Sequence, residues 1–118
     1  MRSEFEITDV TGHEPIALIR VRGRLDLKNA KDLMDHCRRL NAEGRKQLVL
    51  NLSAVTFVAS SGIGTLLALT EEFKESGGDL QLVALSYAVQ SVVNLLNLTQ
   101  FLHIEKNEAE ALAALGVS

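Results

Sequence analysis

Polar and apolar residues alternate along Glu4-Phe5-Glu6-Ile7-Thr8-Asp9-Val10, the two-residue period of a half-buried strand. Gly12 to Pro15 reads as a turn, and Ile16 to Val21 as a second strand that Gly23 ends. So short a connection makes the pair a hairpin. From Asn29 the period changes: Ala30, Leu33, Met34, Cys37 and Leu40 recur at helical spacing, and Gly44 is a natural stop. Gln47 to Leu52 is almost continuously apolar, which suits a strand covered by helices on at least one face. A second helix is expected from about Ser61 to Ser76, with Ile63, Leu66, Leu67, Leu69 and Phe73 on its apolar side, before Gly77-Gly78. Leu80 to Leu85 reads as a further strand. Ser86 then caps a third helix whose Val89, Val92, Val93 and Leu96 form a core stripe. Phe101 to Ile104 is a short final strand. Asn107, with Glu110 three residues later, resembles a capping box for a last helix reaching Leu115-Gly116.

The element order is therefore β-β-α-β-α-β-α-β-α. Strands alternating with helices imply right-handed crossovers and a largely parallel sheet, to which the N-terminal hairpin adds one antiparallel pair. The expected fold class is α/β: one domain over residues 1–118, a four- to five-stranded mixed sheet with about four helices packed against it. Composition agrees. The chain is 47% apolar, so it is not disordered, but it has only four Phe, one Tyr and no Trp, and aliphatic side chains must fill the core.

Charge and cysteine content narrow the function. The formal net charge of −3 lacks the basic bias of a nucleic-acid binder. Arg38, Arg39, Arg45 and Lys46 lie close together, but Asp32, Asp35 and Glu43 interleave with them, as on a solvated helix face. Cys37 is the only cysteine, which excludes an intrachain disulfide and reads as a small core residue in phase with its apolar neighbours. No secretory leader pattern is visible, and no apolar run approaches the roughly 20 residues that span a bilayer. A cytoplasmic protein without membrane insertion is expected.

Candidate chemistry concentrates at Ala59-Ser60-Ser61-Gly62-Ile63-Gly64, where a strand hands over to a helix. A helix start offers free backbone N–H groups and the positive end of the dipole, so either serine can be an ordinary cap or a hydroxyl that carries an anionic group. A nucleophile elbow would need glycines on both sides of the serine, but Ala59 and Ile63 flank Ser61. His13, His36 and His103, the only imidazoles available as a base, read as exposed or structural. Gly62-Ile63-Gly64 lacks the Lys-Ser/Thr of a Walker loop and the third glycine of a dinucleotide fingerprint. No cluster has metal-ligand spacing. The expectation is a protein that is not an enzyme and needs no cofactor. Asp26 is open to three readings: a helix cap, an acceptor for the serine loop, or a contact for a partner.

Several of these segments resemble one family. Gly23-Arg24-Leu25-Asp26 is similar to the G-x-L-D step that opens the first helix of STAS domains of the anti-sigma factor antagonist type. Asn51 to Gly64, an apolar strand followed by Ser60-Ser61-Gly62-Ile63-Gly64, resembles that family's strand-to-helix signature, D-S-S-G-(I/L)-G. Gly77-Gly78-Asp79-Leu80 and Val93 to Leu98 fit as well. The resemblance implies partner switching. The unmodified antagonist binds an anti-sigma factor serine kinase, the kinase phosphorylates the first serine, and a metal-dependent serine phosphatase removes the phosphate. It maps the phosphoacceptor onto Ser60, with Ser61 a less favoured acceptor, and the partner-binding segment onto Asp26, Ala59, Ser60, Ser61, Gly62, Ile63 and Gly64. Where the family often has an aspartate, this chain has Ala59. An alternative implied role is an unphosphorylated STAS interaction subunit of a lipid-transport ATPase or a stress-signalling scaffold.

Overall fold

The computed structural model describes residues 5–115. The expected strand start at Glu4 and helix end at Gly116 lie outside that range. The elements are β1 (Glu6–Val10), β2 (Ala17–Leu25), α1 (Leu27–Ala42), β3 (Gln47–Val58), α2 (Ser60–Glu75), β4 (Asp79–Val83), α3 (Tyr87–Leu95), a 3-10 turn (Thr99–Phe101), β5 (His103–Glu105) and α4 (Glu108–Ala114). One five-stranded sheet runs in the order β1-β2-β3-β4-β5. β1 is antiparallel to β2, and every later neighbour pair is parallel. The expected mixed α/β sheet with four helices is present.

Alternation along the strands separates two apolar layers. Ala17, Ile19, Val21, Leu48, Leu50, Leu52, Leu80 and Leu82 point toward α1, α2 and α3 and form the main core with Leu33, Cys37, Leu66, Leu69, Phe73, Val89 and Val93. Ile16, Leu18, Val49 and Val83 point the other way and pack under α4 at Ala111. Both faces of β2 and β3 are therefore apolar over their first halves, which explains the continuous apolar run. Cys37 is buried as expected. Burial, with a smaller contribution from the Asp9 carboxylate, pushes its thiol up to about 12.

Several boundaries differ from the sequence expectation. β2 does not end at Gly23. It passes through that residue at φ 107 and continues to Leu25. Only glycine takes this conformation without strain, and the register against β3 shifts there. β3 does not end at Leu52 but runs on to Val58, still paired with β2. A second register shift, between Arg20 and Arg22, breaks its alternation and hid this half of the strand. β4 stops at Val83 because Ala84 takes a left-handed conformation, so Leu85 is not in the strand. α1 starts at Leu27, directly after Asp26 and two residues before the change of period at Asn29, and α2 starts at Ser60, one residue before the expected position. Leu96 is exposed and Val92 half-buried, so only Val89 and Val93 of that stripe are fully in the core. Phe101 closes the exposed 3-10 turn and does not begin β5.

The basic cluster of α1 and the following loop ties elements together. Arg38 donates to Glu72 through two bonds of 2.9 and 2.7 Å, linking α1 to α2, and Arg45 donates to the Ile16 carbonyl at 2.7 Å.

His103 holds the last strand. Its Nδ1 is 2.7 Å from Asp79 Oδ2 on β4, and its Nε2 is 2.8 Å from Glu105 Oε2. An imidazole donates from both nitrogens only when protonated. Burial opposes the charged ring, but the hydrogen bonds to Glu105 and Asp79, reinforced by their charges, outweigh it and raise the pKa above 6.5. A raised histidine pKa contributes stability that is complete below the unfolded-state value and lost as pH rises through the folded-state value. An NMR titration of His103 is expected to show a midpoint above 6.5, with Asp79→Asn moving it back toward 6.5 and weakening the pH dependence of unfolding. A wild-type midpoint at or below 6.5 contradicts the clamp.

Candidate functional site

The site is built where β2, β3, α1 and α2 meet. β2 and β3 are parallel neighbours that end together at Leu25 and Val58. The Leu25 side chain is fully buried, and its carbonyl accepts the Ala59 N–H at 3.0 Å. The next residue, Asp26, is the N-cap of α1: its Oδ1 accepts the Asn29 N–H at 3.0 Å. Of the three readings open for Asp26, the cap is what the structure contains. Its carboxylate takes no hydrogen bond from the serine loop.

Ala59 is the N-cap of α2, extended at φ −85 and ψ 168, and no side chain caps this helix. The cap role expected of the serines therefore falls to a residue that has no side-chain acceptor. Ser60 and Ser61 are the first two helical residues. Ser60 is exposed, Ser61 is half-buried, and neither hydroxyl bonds to any described residue. The N–H groups of the first helical turn have no intrahelical acceptor, apart from the bonds that Gly62 and Ile63 make to the Ala59 carbonyl. The result is a solvent-facing hydroxyl beside uncommitted donors at the positive end of a 16-residue helix.

The two glycines do different work. A Cβ on Gly62 would sit 2.6 Å from the Leu25 carbonyl oxygen and 2.9 Å from Leu25 Cγ, so glycine is required for α2 to close against β2. Ile63 is buried beside it. A Cβ on Gly64 would meet nothing within 4 Å. Of the segment expected to touch a partner, Ser60 and Gly64 are exposed, Ala59, Ser61 and Asp26 are half-buried, and Gly62 and Ile63 face inward.

Sequence reasoning missed the apolar surroundings. Leu27, Phe57 and Tyr87 follow or close the C-terminal ends of β2, β3 and β4, the sheet edge at which Ser60 sits. Leu27 is 75% exposed and Tyr87 89%, and the Arg24 guanidinium lies 4.2 Å from the centre of the Phe57 ring. Exposed apolar side chains and an arginine stacked on an aromatic are residue types enriched at protein contacts. The available signal was Phe57 itself, out of phase between the buried Val55 and Val58.

Among the described residues, no histidine is hydrogen-bonded to either serine hydroxyl. His36 Nε2 is engaged by Asp9 Oδ1 at 2.9 Å, and His103 lies between Asp79 and Glu105. Among the described residues, no group of three or more His, Cys, Asp or Glu is placed to hold a metal ion, and no helix is long and apolar enough to cross a membrane.

The family model described as STAS domain matches residues 8–111. Over 80 residues the chain is 29% identical to osmosensory protein A of Mycobacterium tuberculosis, a stretch that makes up 68% of this chain and 50% of that protein. The chain thus spans about half the length of this curated relative. The crystal structure of an anti-sigma factor antagonist from Mycobacterium paratuberculosis is similar at a TM-score of 0.80 and 27% identity, covering 94% of this chain and 95% of that one. The Bacillus cell fate determinant SpoIIAA in its phosphorylated form shares the fold at a TM-score of 0.70 and 22% identity, covering 94% and 98%.

The glycine geometry gives an opposed pair of outcomes. Gly62→Ala is expected to lower stability by about 1–3 kcal/mol through overpacking against Leu25. Gly64→Ala, in open space within a helix, is expected to raise it by up to about 1 kcal/mol. Thermal unfolding of the two variants checks this, and equal shifts in both would contradict the packing role of Gly62.

Proposed function

Because the chain belongs to the STAS domain family, we propose that it is an anti-sigma factor antagonist that works by partner switching. Unmodified, it binds an anti-sigma factor serine kinase through the edge carrying Ser60, Leu27, Phe57 and Tyr87. Phosphorylation of Ser60 releases it, and a serine phosphatase restores the binding form. It is a regulated binding protein and a kinase substrate, not an enzyme. Two structural neighbours support the reading: one bears the name anti-sigma factor antagonist, and the other was solved phosphorylated.

The observation that carries the proposal is the state of the Ser60 hydroxyl, exposed and unbonded at the first position of an uncapped helix. A phosphate there adds roughly −1.5 to −2 charge at neutral pH. The helix start tolerates it, with a dipole contribution of about 0.3–1 kcal/mol in its favour. A partner packed on the adjacent apolar edge meets a strongly hydrated dianion instead of a neutral hydroxyl, so the free-energy change falls on binding and not on folding.

Ala59 favours a second reading. It removes the carboxylate that the family often places before the acceptor serine, and with it a feature for a kinase to read. Under that reading the chain is a constitutive interaction module, a STAS subunit of a lipid-transport ATPase or of a stress-signalling scaffold.

Incubation with the kinase encoded nearest to it and ATP, followed by mass spectrometry, separates the two. Phosphate on Ser60 is expected, and an unmodified Ser60 would leave the constitutive module. Ser60→Asp is expected to weaken kinase binding by roughly tenfold or more while the thermal midpoint stays nearly unchanged. If that variant unfolds instead, Ser60 is structural and the switch fails.

A further inference from the structure

Away from Ser60, α2 contributes Leu67, Glu71 and Lys74 to a cleft of about 430 Å³ that Leu98, Gln100 and Phe101 close from the other side. The three α2 residues are spaced i, i+4, i+7 and form one stripe. On the opposite lip Phe101 is 56% exposed and Leu98 half-buried, with the exposed Gln100 between them. Glu71 and Lys74 form no ion pair with each other or with any described residue, whereas Glu72, one position away, is fully engaged by Arg38. The cleft therefore combines half-buried aliphatic and exposed aromatic surface with one free carboxylate and one free ammonium, a turn apart.

We infer that this cleft is a self-association surface whose occupant is a second copy of the chain. In a two-fold contact the same patch meets itself, so its charges must complement one another after rotation. An antiparallel approach of two α2 helices, with the axis passing between Glu71 and Lys74, brings each Glu71 carboxylate to Lys74 of the second copy. The same approach brings the apolar lips together. A uniformly acidic or basic partner helix would pair with one of these charges and oppose the other, which is why the match favours a second copy. Ser60 lies eleven residues before Glu71, about 16 Å along the helix axis, so both switch sites remain open in the dimer. The dimer presents two binding edges to its partners and does not depend on whether Ser60 is phosphorylated.

Sedimentation equilibrium on the full chain, over a series from micromolar to millimolar, is the test. A monomer–dimer equilibrium is expected. Phe101→Ser, at an exposed position, raises the dissociation constant by roughly tenfold or more, the usual effect of truncating an aromatic anchor. Lys74→Glu sets like charges together and weakens association by roughly tenfold. Adding Glu71→Lys to that variant restores the complementarity and returns the constant to near its original value. Circular dichroism and thermal midpoints of all variants are expected to match the parent. A chain that stays monomeric throughout overturns the inference, as does a dimer indifferent to these substitutions. So does a monomer whose Leu67 and Phe101 resonances shift only on adding a different protein, which would assign the cleft to that partner.

Discussion

Everything at the candidate site hangs on the Leu25 backbone. Its carbonyl receives the Ala59 N–H, its side chain is buried in the main core, and the residue after it caps α1. One peptide unit thus fixes where β2 ends, where β3 ends and where two helices begin. Gly62 completes the joint by letting the first turn of α2 close onto that carbonyl. The serine is exposed because the residues on either side of it are committed inward: Ala59 to the strand end, Gly62 and Ile63 to the core. Rigid anchoring beside a free hydroxyl lets a modification change the surface without changing the fold.

Fold class and element order were legible in the sequence because apolar periodicity is strong wherever a helix or strand buries one face. Ala30, Leu33, Cys37 and Leu40 announced α1, and the caps Asp26, Ser86 and Asn107 stand where their side chains predict. Errors gathered where backbone geometry departs from a regular period. The bulged second half of β3 alternates irregularly, and Gly23 reads as a terminator although it lets a strand continue through a left-handed φ. Ala84 is a left-handed residue that no propensity would flag.

The site was legible to a lesser degree. The serines, the glycines and Asp26 were all singled out by local pattern, but their division of labour is set by tertiary contacts. Gly62 and Gly64 are identical in sequence terms, and only the distance to Leu25 separates a packing requirement from an open position. The apolar edge formed by Leu27, Phe57 and Tyr87 comes from three separate strand ends, so no window of sequence contains it.

The sulfur of Cys37 lies in the helix–sheet core with its thiol held far from ionisation. A thiol-specific reagent in solution meets it only when α1 lifts from the sheet. Since there is one cysteine in the chain, each labelled molecule records a single opening of that layer. The uptake of such a reagent by the native protein therefore measures the frequency of core exposure directly, with no probe introduced and no residue of the candidate site disturbed.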